Sequence, residues 1–346
     1  MYRDITIEEV FELGEIILVD VRSEKEYSED TIPGAINIPL LNNEERASVG
    51  TVYRKEGPEP AKRLGLDLVS PKLDGKVAVI DELAHDKKVV IFCWRGGLRS
   101  EFIASYLDSK GYPVVYRITG GYKAYRRYVN EYLKQHGLPL KAVVLHGLTG
   151  VGKTDLLVRL KQKGIPVLDL EGLARHRGSV YGKVGLPPSP AQKAFESGIV
   201  QLLRSACRKG LFVVECESRR LGNLLVPPMV MDFIRGGYRV LVYASLENRA
   251  KRIREVYTGG SDFYIEELQK ATSSLANKLG RARVEEFNRL IADNDYGHVI
   301  SYMLKYYYDP LYNYPDSTSE GYDLCVDTAD FEKAVDKIHM FIAGLP

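Results

Sequence analysis

The sequence has 346 residues, of which 45% are hydrophobic and 27% charged, and its formal net charge is +2. This is the composition of a globular protein of two or three domains, and it excludes a low-complexity or collagen-like chain. The nearly balanced charge neither supports nor excludes nucleic acid as a partner, because an RNA site would then be a local basic patch.

The four cysteines, at positions 93, 207, 216 and 325, form no CxxC pair. Their spacing suggests no disulfide framework, which predicts reduced thiols in a reducing compartment. The first residues are too acidic for a signal peptide, and no apolar run approaches the length of a membrane span. We therefore expect a cytoplasmic protein without a membrane partner.

Short apolar strands alternate with helical patterns in the first part of the chain, which predicts α/β architecture. The predicted strands there are 16–21 (IILVDV), 89–93 (VVIFC) and 113–116. The predicted helices include 99–110 and 122–136.

Residues 137–139 (GLP) break the pattern, and we place the boundary between domains 1–136 and 139–346 there. The predicted strands of the second domain are 142–146, 166–170, 211–215, 239–245 and 322–327, with helices at 153–163 and 331–343. This rhythm predicts a parallel sheet covered by helices on both faces. Residues 246–308 are almost entirely helical in pattern, which predicts a lid or a substrate-binding layer.

Residues 146–154 (HGLTGVGKT) contain the pattern G-x-x-x-x-G-K-T between a predicted strand and a predicted helix. Glycines let backbone N–H groups turn inward around an anion, and the helix N-terminus adds positive potential. Lys153 can reach the outer phosphates, and Thr154 can hold a magnesium ion. We predict phosphate binding by Gly147, Thr149, Gly150, Gly152, Lys153 and Thr154.

The acidic partner of this loop is a choice between two strand ends. The predicted strand 211–215 ends in Glu215, with Glu217 two residues further on, and a carboxylate at such a place usually supports the metal. Asp169, in the predicted strand 166–170, is the alternative. Arg219 and Arg220 follow Glu217 and could hold an anion or be solvated surface charges.

Residues 91–100 (IFCWRGGLRS) place a cysteine between a strand and the start of a helix. Loop N–H groups and a helix N-terminus stabilise a thiolate, and nearby arginines add positive charge. A merely structural cysteine, which fits Cys207 and Cys216, gains nothing from a Gly-rich basic loop. The predicted catalytic residues are Cys93, Arg95, Gly96, Gly97, Arg99 and Ser100.

Residues 4–135 resemble the rhodanese-like superfamily. Residues 20–23 (DVRS), 32–35 (IPGA) and 119–122 (TGGY) match an early element, a turn and a late Gly-Gly element of that family. Five residues separate Cys93 from Arg99, one more than in the usual sulfurtransferase loop and as many as in the phosphatases of the superfamily. The resemblance implies a ring wide enough for a phosphate-bearing donor.

Over nearly its full length, the chain resembles the tRNA 2-selenouridine synthase family. Three further segments carry this resemblance, namely 170–182 (LEGLARHRGSVYG), 215–222 (ECESRRLG) and 307–312 (YYDPLY). The resemblance implies a transferase that replaces the sulfur of wobble 2-thiouridine in tRNA with selenium from selenophosphate. It implies an S-geranyl-2-thiouridine intermediate made from geranyl diphosphate.

The resemblance also implies roles for the two loops. Cys93 would carry selenium, and the P-loop would bind the diphosphate of the prenyl donor without a need for ATP hydrolysis. The implied partners are the anticodon arm of tRNA and an enzyme that supplies selenophosphate. No tightly bound cofactor is implied, and whether Thr154 holds a magnesium ion stays open.

Four supporting residues have open alternatives. By resemblance, His176 and Arg177 lie near the P-loop, where His176 is an acid or base or simply a structural histidine. Arg249 and Arg252 share a helix face through their i, i+3 spacing. They would cover phosphates as a lid, touch tRNA, or form a solvated basic face.

The RNA site is the weakest part of the pattern, and it rests on the resemblance rather than on charge. Tyrosines at 302, 306–308, 312 and 314 could stack on bases, although tyrosines at these spacings more often pack helices. The basic and aromatic stretch 123–132 is a second candidate for the anticodon arm.

Three other functions remain open at this level. A P-loop kinase with an accessory rhodanese-like domain predicts ATP turnover with Cys93 dispensable. A C-x5-R phosphatase predicts ester hydrolysis without the P-loop domain. A non-catalytic module that docks anions predicts that Cys93→Ser changes only stability.

Overall fold

The computed structural model describes residues 2–85, 87–112, 114–258 and 264–346. The chain divides into two compact units. The first comprises Met1–Lys134 with Glu196–Gly198, and the second comprises Gln135–Phe195 with Ile199–Pro346. Both units are α/β, which confirms the predicted fold class.

The first unit is built on a parallel sheet in the order β1-β5-β4-β2-β3. Its strands are β1 (Arg3–Ile5), β2 (Ile16–Asp20), β3 (Ile36–Asn37), β4 (Lys88–Phe92) and β5 (Val115–Ile118). The middle strand β4 is apolar without alternation, and Val90, Ile91 and Phe92 are fully buried. Continuous apolar runs of this kind belong to strands that are covered on both faces.

The sheet of the first unit is covered by seven helices within the described residues, three of which begin at a side-chain cap. These are α1 (Ile7–Val10), α2 (Glu24–Glu29), α3 (Asn43–Glu56), α4 (Pro58–Val69), α5 (Leu73–Ala84), α6 (Leu98–Ser109) and α7 (Gly121–Tyr132). Thr6, Ser23 and Asn42 each form a capping box with a glutamate three residues later. The chemistry of these short polar segments therefore sets where the helices start.

The second unit contains a parallel sheet in the order β12-β11-β6-β8-β7. Its strands are β6 (Lys141–His146), β7 (Val167–Leu168), β8 (Leu211–Glu215), β11 (Tyr238–Tyr243) and β12 (Leu324–Asp327). A separate antiparallel hairpin pairs β9 (Arg220–Leu221) with β10 (Leu224–Leu225). The loop after the middle strand β6 therefore lies at the carboxyl edge of the sheet, where ligands of open α/β sheets bind.

Helices pack on this sheet and also form a layer of their own. They are α8 (Lys153–Gln162), α9 (Leu170–Ala174), α10 (Gln192–Cys207), α11 (Pro228–Gly236), α12 (Leu246–Thr258), α13 (Ile265–Ser273), α14 (Ala276–Leu279), α15 (Arg281–Ala292), α16 (Tyr296–Met303), α17 (Asp309–Tyr312) and α18 (Phe331–Ala343). A π-helical turn, Leu304–Tyr308, joins α16 to α17. Leu268, Phe287, Val299 and Met303 bury one another in this layer, apart from the core under the sheet.

Several element boundaries differ from those predicted. The strand predicted at 166–170 is shorter, because Asp169 accepts a hydrogen bond from the Gly172 N–H (2.7 Å) and caps α9. The strand predicted at 113–116 begins at Val115, and Pro113 lies outside the described residues. Within the described ranges, no helix has the length and apolar character needed to cross a membrane.

Candidate functional site

The Cys93 thiol lies directly after β4, at the start of α6, and Cys93 is only 4% exposed. Its Sγ is 3.2 Å from the Ser100 Oγ, and Ser100 in turn donates to the Gly97 carbonyl (3.0 Å). Among the described residues, no side chain caps α6 at Gly97. The N–H groups of the first helical turn beside the sulfur are therefore free of a side-chain acceptor.

The second Gly-Gly element supports this loop from behind. Gly121 has φ 56°, and a Cβ atom at this position would lie 2.2 Å from the Cys93 carbonyl oxygen. The N–H groups of Tyr122 and Lys123 donate to the carbonyls of Cys93 (2.9 Å) and Trp94 (3.0 Å). Only glycine allows this approach, which explains the sequence TGGY after β5.

The sequence predicts that arginines add positive charge around Cys93, but the structure compensates part of that charge. Arg99 pairs with Glu26 (Nη1 to Oε2, 2.7 Å), so part of its charge is compensated. Burial would raise the pKa of Glu26, but hydrogen bonds and charge from Arg99 outweigh it and lower that pKa. Arg95 is exposed on the loop, whereas Arg22 of the DVRS element is buried against Asp20 (2.6 Å) as part of the scaffold.

Each P-loop glycine lies where an added Cβ atom would collide with a neighbouring residue. A Cβ atom on Gly147 (φ 144°) would lie 2.1 Å from the Val242 carbonyl oxygen. On Gly152 (φ 91°) it would lie 2.8 Å from the Phe331 ring. Lys153 folds back along the loop, where its Nζ donates to the carbonyl of Gly147 (2.9 Å). The predicted phosphate-binding residues thus form one turn at the head of α8.

Three glutamates gather beside Lys153, and their carboxylate oxygens lie within 4.8 Å of one another. They are Glu171, Glu215 and Glu217. Burial and the charges of the other two raise the pKa of Glu171 to about 9, and burial raises the pKa of Glu215 to about 7. Burial also raises the pKa of Glu217. Such a set is strained unless a cation offsets its charge.

The carboxylates fit a divalent cation. Glu215 is 2% exposed, and its Oε1 has no hydrogen-bond partner among the described atoms. The Thr154 hydroxyl contacts the same carboxyl group. Oxygen donors of this kind suit Mg²⁺. The sequence pattern did not single out Glu171. The only sequence signal for it was its position two residues after Asp169, the alternative acidic partner of the loop. Asp169 itself caps α9 and does not join the cluster.

Arg249 and Arg252 require a correction. Arg249 is buried, donates from Nε to the Thr149 carbonyl (2.8 Å), and pairs with Asp309 (Nη1 to Oδ2, 3.0 Å). Arg252 donates to the Val151 carbonyl (3.1 Å). Neither a lid over phosphates nor a solvated face describes these contacts. Both guanidinium groups brace the P-loop from outside, and the YYDPLY segment contributes Asp309 to this brace.

The remaining supporting residues shape the surrounding loops. His176 is 9% exposed, and its Nδ1 accepts from the Gly178 N–H (3.1 Å). Burial, and then the charge of Lys183, lower its pKa, which fits the structural alternative. Arg177 donates to the Val184 carbonyl (2.7 Å). Arg219 and Arg220 are exposed; Arg219 precedes the β9–β10 hairpin, and Arg220 is the first residue of β9.

The tyrosines proposed for base stacking mostly pack against one another. Tyr308 is buried, and its ring stacks on Tyr312 at 6.5 Å, which in turn stacks on Tyr314 at 6.4 Å. Tyr306 is 59% exposed. In α7, Tyr122, Tyr125 and Tyr132 are buried. Helix packing therefore accounts for most of these rings.

Comparison with known families covers both units. Residues 6–128 match the family described as a rhodanese-like domain, and residues 140–337 match the tRNA 2-selenouridine synthase AAA domain. These two matches correspond to the Cys93 loop and the P-loop.

Relatives of similar length align over most of this chain. The tRNA 2-selenouridine synthase of Hydrogenovibrio crunogenus is 33% identical over 87% of this chain and 90% of that protein. The protein of the same name from Pseudomonas syringae pv. syringae is 34% identical over 87% of this chain and 89% of its own length. That from Sulfurovum sp. is 32% identical over 86% and 88%, respectively. With both domains matched in order, this chain belongs to the tRNA 2-selenouridine synthase family.

Proposed function

We propose that this chain is a tRNA-modifying transferase that replaces the sulfur of wobble 2-thiouridine with selenium from selenophosphate. The observation that carries this proposal is the presence, in one member of the family, of an enclosed thiol at a helix start and a P-loop with clustered carboxylates. The first arrangement suits a nucleophile, and the second suits a diphosphate.

The first reaction is a prenyl transfer at the P-loop. The sulfur of 2-thiouridine attacks C1 of geranyl diphosphate, the C–O bond breaks with its electron pair on oxygen, and diphosphate leaves. The uridine N3 proton is released to solvent. Lys153 and the loop N–H groups stabilise the negative charge of the leaving diphosphate.

Magnesium belongs to the same proposal. Glu215, Glu217 and Glu171, together with the Thr154 hydroxyl, would hold the ion, as the orphan Oε1 of Glu215 supports. A bound cation would neutralise charge on the diphosphate. The protein residues orient the donor and keep Lys153 close to the loop.

The second reaction is the exchange of the S-geranyl group for selenium, with Cys93 as carrier. The Cys93 thiolate attacks selenium of selenophosphate, an S–Se bond forms, and the Se–P bond breaks with its electron pair on phosphorus. Phosphorus leaves as phosphite and is reduced from P(V) to P(III), which balances the oxidation of sulfur and selenium in the S–Se bond. Delivery to C2 expels geranylthiol, and a thiol reductant supplies the two electrons that release Cys93. Ser100 and the N–H groups of α6 hold the charged sulfur.

The test uses a 2-thiouridine anticodon stem-loop, geranyl diphosphate and selenophosphate, with nucleoside mass spectrometry as the readout. Cys93→Ala is expected to keep S-geranyl-2-thiouridine and lose 2-selenouridine, and Lys153→Ala to lose both. Selenouridine formation that is indifferent to both substitutions would overturn the proposal. ATP turnover by the Cys93→Ala variant would favour the kinase instead.

The carrier step has its own test. Mass spectrometry of the intact protein after selenophosphate treatment should show a selenium adduct on Cys93. A phosphate adduct would contradict the carrier role and indicate attack on phosphorus, with selenide as the leaving group. Cys325→Ser, a substitution of a cysteine away from this loop, is the matched control.

A further inference from the structure

An apolar pocket in the helical layer opens beside the P-loop and has no role in the chemistry described above. It encloses about 620 Å³, including its mouth. Its walls come from α12, α13, α15, α16 and the π-helical turn, and include Ile253, Tyr257, Leu268, Ile300, Met303 and Leu304. Apolar atoms make up most of its accessible lining, although half of the lining residues carry a hydroxyl group. Soluble proteins keep contiguous apolar pockets of this kind for ligands.

The pocket reaches the P-loop at one residue of its wall. Thr149 is part of both the loop and the pocket lining. The backbone at Gly150 approaches the wall so closely that a Cβ atom there would lie 2.9 Å from Ile253 Cδ1. Arg249 holds the Thr149 carbonyl (2.8 Å), so the loop and the α12 wall form one rigid edge. A ligand whose anionic group binds in the P-loop can therefore extend its remaining atoms into the apolar pocket.

The lining also distinguishes between classes of ligand. A nucleotide base requires polar groups along its edges, and leaving these unpaired in an apolar wall is costly. An isoprenoid chain requires only contact area, and each buried methylene contributes about 0.8 kcal/mol. An amphiphile with a diphosphate head and a hydrocarbon tail therefore fits both halves, whereas ATP fits only the loop.

From this juxtaposition, we infer that the pocket binds the isoprenoid chain of the prenyl diphosphate donor, and that Ile300 helps to set the chain length accepted. This rests on the proposed prenyl transfer and adds the tail site to it. Ile300 is half-buried on α16, so its replacement perturbs the pocket more than the fold.

Calorimetry with geranyl diphosphate and inorganic pyrophosphate separates the tail from the head. Ile300→Trp is expected to weaken geranyl diphosphate binding by about 15- to 50-fold, the contribution of two to three displaced methylenes, and to leave pyrophosphate unchanged. Val256→Trp, on the 51% exposed Val256 of α12, is the matched control and should bind both as the parent chain does.

A second variant keeps the test decisive if Ile300→Trp fails to fold. Ile300→Ala enlarges the pocket and is expected to shift the preference from geranyl toward farnesyl diphosphate by about tenfold. If the parent chain binds geranyl diphosphate no better than pyrophosphate, the proposed donor is wrong. If it binds the donor tightly and prenylates the RNA, but both Ile300 variants retain the parent's selectivity, only the pocket assignment is overturned.

Discussion

The Cys93 loop and the P-loop occupy the same position between a strand and a helix, but their side chains suit different chemistry. Each follows the middle strand of a parallel sheet, β4 or β6, and each leads into a helix, α6 or α8. The first places a thiol before the helix start, and Arg99 in the first turn of α6 is paired with Glu26. The second places Lys153 against three clustered carboxylates, of which only Glu215 is fully buried. In the proposed function, a shared loop geometry serves a nucleophile in one unit and a diphosphate in the other.

The largest expected difference between the two loops is in their need for a cation. Glu217→Gln should weaken Mn²⁺ binding, measured by titration calorimetry, and slow prenyl transfer by about 10²-fold because the leaving diphosphate loses charge stabilisation. Selenation of a pre-geranylated stem-loop should stay unchanged. Glu247→Gln, at an exposed position of α12, is the control. Equal loss of both reactions would contradict a cation that serves the P-loop alone.

The brace behind the P-loop is expected to dominate the stability of the second unit. Arg249→Met leaves the Asp309 carboxylate and the Thr149 carbonyl without their partner, at a cost of about 2–4 kcal/mol. Hydrogen exchange should show the loss in β6 and α8 but not in β4 and α6. Arg254→Met, an exposed change on the same helix, should cost less than about 0.5 kcal/mol. An equal cost for the two variants would refute the brace.

The two glycines with the closest contacts give a matched pair of smaller effects. Gly121→Ala and Gly147→Ala each force a Cβ atom against a carbonyl oxygen, and each should cost about 1–3 kcal/mol. Gly121→Ala should slow alkylation of Cys93 and selenation while prenyl transfer persists; Gly147→Ala should do the reverse. Gly164→Ala has a similar positive φ (79°) but nothing within 4 Å, and it isolates the backbone cost from the clash.

The smallest expected effect concerns His146, which precedes the P-loop and packs against Tyr314 and Tyr322. Burial, then the charges of Arg239 and Lys153, lower its pKa to about 4 from an ordinary value of 6.5. The unfolded chain therefore binds the proton more readily, so stability is intact above pH 6.5 and declines as the pH falls toward 4.

His146→Gln should flatten this decline in urea unfolding midpoints measured at pH 7 and pH 5. His298→Gln, in a largely exposed side chain, should keep the parent's pH dependence. If both variants decline as steeply as the parent chain, other groups govern acid stability.

The sequence alone predicted the α/β class, both Gly-rich loops and the strand–loop–helix setting of each. It could do so because these features are local. Glycines at positive φ, an apolar strand before them and a helix after them are neighbours in the chain. The residues of the two loops are therefore visible as continuous motifs, and most strand and helix positions were within two or three residues.

Only the tertiary structure decided which distant residues complete the P-loop site. Glu171 joins Glu215 and Glu217 because β7 is short and Asp169 starts α9, which turns the next carboxylate toward the loop. Arg249 became a buried brace because Asp309, sixty positions later, pairs with it. The apolar pocket arises where α12, α13, α15 and α16 meet. Such features depend on packing between separate helices and strands, and amphipathic patterns show that a helix has a buried face but not what that face surrounds.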